Sequence, residues 1–501
     1  MLISSTRFIC LCLLMLTPLA ALSQAYFIPG NVGMGDTGTT NVTDSQAGFI
    51  NPANLMLFES PGNWSISLLQ GGYYYNKGYS KELISTPRNY FTPFDTQVSS
   101  TGFLTTTDAN QIVRKWFGSD QLRSQNEYIM DVQTIGVSYK AQNYAISINH
   151  RLRGQSYVEI GRGWYDPMLK NVDGVFMLDR TLIQNQSIWH ELSAAIAWEQ
   201  ELISGILGSR SNIYLGINPK LILPVSFIQH RLLTTYTWNE STPDVLTYNH
   251  NYVGYVAGEY ASNIKKIMSA GNSSNLTMTP DYFKFSGIGL GFDAGLTWRI
   301  IMGDKIRIKS DNRIDSDYHL SFSVAVQDIG FISNNRESSI LSSKLHSQTT
   351  ESPSGPIDRE FTGTMTDFLY FSNFDRSDFY ENLSARSANI NKLLPSSITA
   401  GVGVKLDQVL LAVEYKQHTN NTLNQPEFST LHIGNEITLF SIFDIRSGVI
   451  FHSYEPVTLS AGIGLDTEYF SLSAGTYARQ IETSNDFRPV LMNVGTLAVR
   501  F

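Results

Sequence analysis

Charge is the first thing this sequence lacks. Of 501 residues only 16% are charged, against about 25% in an ordinary soluble domain. The balance is acidic, with 36 Lys and Arg against 44 Asp and Glu and a net charge of −8. That excludes a nucleic-acid binder acting by bulk electrostatics. Cysteine is nearly absent too: Cys10 and Cys12 are the two in the chain. A scaffold stapled by disulfides is therefore excluded. Beyond residue 23 no apolar run approaches the roughly 18 residues a spanning helix needs. Mean hydropathy is −0.11, so a polytopic helical membrane protein is excluded as well. What is abundant is rings, with 27 Phe and 25 Tyr against 7 Trp. An all-β soluble array and a lipid-facing barrel are left.

The first residues set the compartment. Arg7 precedes the apolar stretch Phe8 to Leu16, and Ala21-Leu22-Ser23 offers small residues before Gln24. This is the order of a secretory signal, predicted over 1–23. Both cysteines fall inside it, neither placed as a lipoprotein cleavage site requires. The mature chain is then cysteine-free and carries 35 basic against 44 acidic residues.

Period-2 alternation dominates the rest of the chain. Ile288, Leu290, Phe292, Ala294, Leu296 and Trp298 alternate with Gly287, Gly289, Gly291, Asp293, Gly295, Thr297 and Arg299. Leu320, Phe322, Val324 and Val326 alternate with His319, Ser321, Ser323, Ala325 and Gln327. Leu192, Ala194, Ile196 and Trp198 do so with Glu191, Ser193, Ala195, Ala197 and Glu199. Short turns predict hairpins at Ala141-Gln142-Asn143, Leu406-Asp407-Gln408 and Asp466-Thr467-Glu468. A soluble sandwich also alternates, but its wet face carries Lys, Glu and Arg. Here the second face is Gly, Ser, Ala and Thr, as expected of strands that are apolar toward lipid and small toward a lumen. Tyr73-Tyr74-Tyr75, Tyr139, Tyr144 and Tyr415 suit interfacial girdles. The fold class is all-β: a transmembrane antiparallel barrel, with fourteen strands expected.

The last eleven residues alternate and stop on Phe501, with Val499 and Leu497 on the same face. They resemble the C-terminal signal by which outer-membrane barrels are recognised for assembly. Three polar insertions, 76–130, 232–282 and 331–395, read as long loops, extracellular or folded into the mouth. Within them Asp108 is placed to cap a short helix, and 376–393 to form another before Pro395.

Residues 30–55 do not read as a strand. Gly30, Gly33, Gly35 and Gly38 loosen the backbone, Asp44 is placed to cap a short turn, and Asn51-Pro52 stops it. The segment Gly33-Met34-Gly35-Asp36-Thr37-Gly38, followed by Asp44 and then Asn51-Pro52-Ala53-Asn54-Leu55, resembles the N-terminal signature of FadL-like (TodX-type) outer-membrane proteins. It is similar above all to the Bacteroidetes branch with the PorV-like barrels, as are Gly289-Leu290-Gly291-Phe292-Asp293-Ala294-Gly295 and Asp328-Ile329-Gly330. The late strands Ile445–Val449 and Ser460–Leu465 look like that branch too. The resemblance implies a hatch, 24–60, inside a barrel, 61–501. It implies passage of hydrophobic small molecules, as in FadL, or a partner role in protein secretion, as in PorV-like members. No lipid-contacting residue of FadL carries over.

Chemical motifs are sparse. Gly289-Leu290-Gly291-Phe292-Asp293-Ala294 spells a dinucleotide fingerprint, yet the alternation runs unbroken where that motif needs a turn and a helix. His190-Glu191 begins a zincin pattern that fails at Ala194. No Gly-x-Ser-x-Gly elbow occurs. No cofactor, metal or catalytic set is expected, although an outer-membrane enzyme with a constellation assembled across strands stays open. Parity predicts that Asp293, Arg299, Glu414, Lys416, Glu436 and Arg446 face the lumen. Opposite signs on adjacent strands favour an ion-pair lattice there over a permeation surface. The partners expected are outer-membrane lipid, the barrel-assembly machinery, and a hydrophobic ligand or secreted protein.

Overall fold

The structure is a computed structural model. It describes residues 28–57, 62–77, 123–161, 170–172, 175–200, 211–239, 246–270, 281–302, 307–308, 314–315, 318–349, 383–418, 429–453, 457–467, 469–480, 487–494 and 497–501. The signal segment 1–23 and the Asp108 helix lie outside these residues.

Alternating strands pair in chain order into a closed antiparallel barrel of fourteen strands. Its wall runs through Trp64–Lys77, Arg123–Lys140, Tyr144–Gly161, Val175–Glu199, Ser211–Asn239, Gly287–Ile301 and Tyr318–Asn334. It continues through Ile390–Leu393 with Ser397–Leu406, then Val409–His418, Ser429–Leu439, Phe443–His452, Thr458–Asp466 and Phe470–Gln480. The last position is split into Phe487–Val494 and Leu497–Arg500, which pair back onto the first strand. The expected turns at 141–143 and 406–408 join their strands as hairpins.

Side-chain parity obeys the sequence pattern. Ile288, Leu290, Phe292 and Leu296 are exposed on the outside, whereas Asp293 and Thr297 are buried inside. Leu411, Val413 and Tyr415 face out while Ala412, Glu414 and Lys416 are buried. An exposed apolar belt with a buried polar interior inverts the soluble-protein pattern, and lipid is the solvent that such a belt fits.

The wall is uneven in height. Val175–Glu199 spans 25 residues and Ser211–Asn239 spans 29, whereas Thr458–Asp466 has 9. On the tall side two insertions read as loops are strands instead. Leu246–Ala257 pairs with the upper part of Ser211–Asn239, and Ser338–Thr349 pairs with Leu246–Ala257. The helix expected over 376–393 is likewise absent from its described part. Ser384–Ser387 and Ile390–Leu393 are strands there, Ile390–Leu393 paired with Phe331–Asn334. Non-local pairing decides those positions over local propensity. In the 232–282 insertion a helix, Glu259–Ala270, puts buried Tyr260, Ala261 and Ile264 toward the sheet, with His230 between the hydroxyls of Tyr252 and Tyr260.

Candidate functional site: hatch and ion cluster

Residues 28–57 form short turns inside the barrel: Pro29–Gly33, Asp44–Gln46, Ala47–Ile50 and Pro52–Leu57. Short helices leave many backbone groups unpaired, and the wall supplies the missing partners. Glu414 accepts from the Gly38 and Thr39 amides at 2.8 and 2.7 Å and from the Thr39 hydroxyl at 3.0 Å. The Gly35 carbonyl accepts from His432 Nδ1 at 2.7 Å, and the Gly33 carbonyl from Ser460 at 3.0 Å. Asn218 donates to the Gly48 carbonyl and Gln327 to that of Ile50. Asn51 is the central joint: its amide donates to the Thr39 carbonyl and to Thr297 Oγ1, both at 2.8 Å. Pro52 and Ala53 continue the turn, and Leu55 is buried in an apolar cluster with Ala145, Ala195, Ala197 and Tyr214.

Glycines on the inner face make room for this backbone. A Cβ on Gly434 would collide with the Met34 carbonyl, and one on Gly448 with the Gly35 amide. Gly216, Gly295 and Gly462 meet Ala53, Asn51 and Gly33 in the same way. The small inner face is thus a mould for the hatch.

Asp44 does not cap its turn, which has no side-chain cap bond. Its carboxylate instead pairs with Arg500 at 2.9 Å. Burial raises the Asp44 carboxyl above its usual range, with Arg500 pulling the other way. Asp36 is pushed up to about 6 by burial, opposed by the Lys416 ammonium at 3.8 Å.

Beyond the hatch tip lies a buried cluster of Asp131, Arg151, Arg153, Glu191, Lys220, Asp293 and Asp328. Arg151 reaches Asp131 at 3.2 Å and Glu191 at 2.8 Å. Arg153 bridges Glu191 at 3.1 Å and Asp328 at 3.0 Å. Lys220 Nζ lies 2.6 Å from Asp328 and 2.7 Å from Asp293. The Arg151 guanidinium stacks over Phe49 of the hatch at 4.2 Å. The two motif aspartates, Asp293 and Asp328, thus meet on one lysine. Above the cluster Trp189, Ile222, Ile332 and Leu394 pack together, followed by Phe227, Ala257 and Ile390 with Tyr255. Lys392, half-buried between these layers, lies 5.0 Å from the Tyr255 ring and donates to Gln229.

Of the residues expected in the lumen, Asp293, Glu414 and Lys416 hold the places just described. Arg446 pairs with Glu436 and Asp444, both at 2.6 Å, and Arg299 stands half-buried apart. Among these six, Glu436 and Arg446 pair with each other, Asp293 and Lys416 pair with Lys220 and Asp36, and Glu414 holds hatch amides instead of a base. Arg151, Arg153 and Lys220 belong to no sequence motif, and Glu191 only to the broken zincin pattern. Their signal is parity: Ile146 and Ile148 face out, which turns Asn149, Arg151 and Arg153 inward. Leu497, Val499 and Phe501 all face out, while Ala498 and Arg500 are buried.

The model of a family described as a family of unknown function, DUF5723, matches residues 78–476. The chain belongs to DUF5723. No curated protein matches this DUF5723 member in sequence. Among solved structures it is similar to the TodX deltaS2S3 mutant monoaromatic hydrocarbon channel. The TM-score is 0.50 at 9% identity, over 95% of this chain and 99% of that one. The Ralstonia pickettii toluene transporter TbuX scores 0.43 at 10% identity over 95% and 99%. A Pseudomonas aeruginosa FadL homologue scores 0.41 at 10% identity over 96% and 98%. The likeness of this DUF5723 chain to the TodX channel is one of fold, a closed β-barrel.

Proposed function

We propose that this protein sits in the outer membrane and captures hydrophobic small molecules at its tall rim, passing them inward when the hatch moves. Short turns belong on the periplasmic side of such barrels, which puts the tall rim and its extra strands outside. The observation that carries the reading is the order of layers along the lumen. Rings and aliphatic side chains at Phe227, Tyr255 and Ile390 come first, then Trp189, Ile222, Ile332 and Leu394, and only then the ion cluster. Small-molecule sites are lined mostly by apolar and aromatic side chains with few polar groups. Lys392 supplies a cation beside those apolar layers. The fold likeness to the TodX channel supports transport at the level of architecture. Its neighbours in fold are channels, and a non-enzymatic role accords with them.

The test is recovery of the chain from outer membranes in mild detergent, with mass spectrometry of co-eluting molecules. An apolar ligand is expected with the wild type and is expected to be lost with Trp189→Asp. Cells carrying the wild type should take up a labelled hydrophobic probe faster than cells without it. A second reading, a non-transporting PorV-like partner in secretion or surface assembly, draws on the filled level formed by hatch and ion cluster. Co-elution of a secreted protein, with no small molecule and no gain in uptake, would replace the first reading by the second.

A further inference from the structure

The barrel closes between its first and last strands. Leu497–Arg500 pairs with Ser65–Leu68 of the first strand, Phe501 exchanges two backbone bonds with Trp64, and Leu491–Val494 pairs with Gly71–Tyr74. On its other side Leu497–Arg500 pairs with the Phe470 strand at two positions, Phe470↔Val499 and Ser471↔Ala498. The first and second strands pair almost continuously from Trp64 to Lys77.

Two consecutive hatch residues sit astride this seam. Asp44 takes Arg500 of the last strand at 2.9 Å. Ser45 donates its hydroxyl to Ser67 of the first strand at 3.0 Å and accepts from Gln133 of the second at 3.1 Å. Arg500 also reaches Asp466 at 2.7 Å and the Thr467 carbonyl at 2.9 Å. Hatch, closing strand and the neighbouring turn therefore share one guanidinium. Asp44 adopts a positive φ of 58°, a conformation uncommon for residues other than glycine. The hatch bends there to bring its carboxylate to the seam.

We propose that the hatch is an internal staple for barrel closure: Asp44 and Ser45 hold the last strand against the first. The terminal strand then has two readers. Its outer residues Leu497, Val499 and Phe501 face lipid and any assembly factor, while Arg500 on its inner face reads the seated hatch. Closure by this staple does not depend on what the barrel carries.

The test uses the full chain folded into detergent micelles and the temperature at which the compact band on unheated SDS gels converts to the unfolded one. Asp44→Asn and Arg500→Gln are expected to lower that midpoint by about 5 °C or more. Arg500→Lys, which keeps the charge without the fork, should fall between them and the wild type. Glu414→Gln loosens the hatch away from the seam and should shift the midpoint less. Should the ion-pair variants not fold, Ser45→Ala with Ser67→Ala removes the hydroxyl bridge together with the Gln133 bond to Ser45. Hydrogen exchange at 64–68 and 497–501 is then expected to quicken relative to the rest of the wall. Equal shifts for the Glu414 and Asp44 variants, or uniform exchange in the serine variant, would overturn the proposal.

Discussion

Lys220 Nζ stands 2.6 Å from Asp328 Oδ1, and both side chains are buried. The same ammonium is 2.7 Å from Asp293, and the Asp328 amide donates to Asp293 Oδ1 at 2.7 Å. Removing one partner of such a group leaves uncompensated charge in a low-dielectric interior. Lys220→Met is expected to cost about 3–5 kcal/mol. Urea unfolding in detergent micelles measures it. A loss under about 1 kcal/mol would mean that water reaches the cluster.

The hatch mould predicts a steric result. Gly434→Val puts a side chain where the Met34 carbonyl runs, and Gly448→Val does the same at Gly35. Both should unseat the hatch while leaving the wall strands paired. Protease cleavage within 28–57 is the readout, and it should rise several-fold with the strand signal in circular dichroism unchanged.

Asp36 predicts a dependence on pH. Burial raises its folded-state carboxyl to about 6 from an ordinary 3.8. The folded state therefore holds this proton more tightly than the unfolded one. Its contribution to stability is full below about pH 4 and falls as pH rises toward 6, by on the order of 2 kcal/mol. Asp36→Asn should be more stable than the wild type at pH 7.5 and should flatten this part of the profile. Thermal midpoints of both proteins at pH 5 and 7.5 decide it.

The outer belt predicts a depth effect. Val413 is 45% exposed at the middle of Val409–His418, between Leu411 and Tyr415. Val413→Arg should cost about 2–4 kcal/mol in a bilayer. Refolding into vesicles measures this, and the cost should shrink in detergent, where the charge reaches water.

Much of the barrel is legible in the sequence because its side chains repeat every second residue. Leu290 and Asp293, or Val413 and Glu414, declare their faces within one strand. Asp328 could not be placed this way. Its even number puts it with Leu320, Phe322 and Val324, on the outer face. The register breaks between Val326 and Ile329, however, and Asp328 takes a φ of 56°. That bulge turns it inward onto Arg153 and Lys220. A bulge depends on pairing with another strand, so a local pattern carries no sign of it. The helix expected over 376–393 gives way for a related reason. Ile390–Leu393 finds an open edge at Phe331–Asn334, which lies about sixty residues away along the chain.

By itself the sequence determined two faces for most strands and the antiparallel order that comes with their hairpins. It also marked 30–55 as a segment apart, through Asn51-Pro52 and its glycines. Only the tertiary structure decided what the inner face is for. Glycines such as Gly434 and Gly448 are clearance for hatch backbone, and the scattered charges gather into one cluster, one seam lock, the Lys416–Asp36 pair and the Arg446 group with Glu436 and Asp444. Parity is a property of neighbours along the chain. Which acid meets which base is set by register across strands and by the hatch threaded between them, where contacts such as Asp44 with Arg500 span nearly the whole chain.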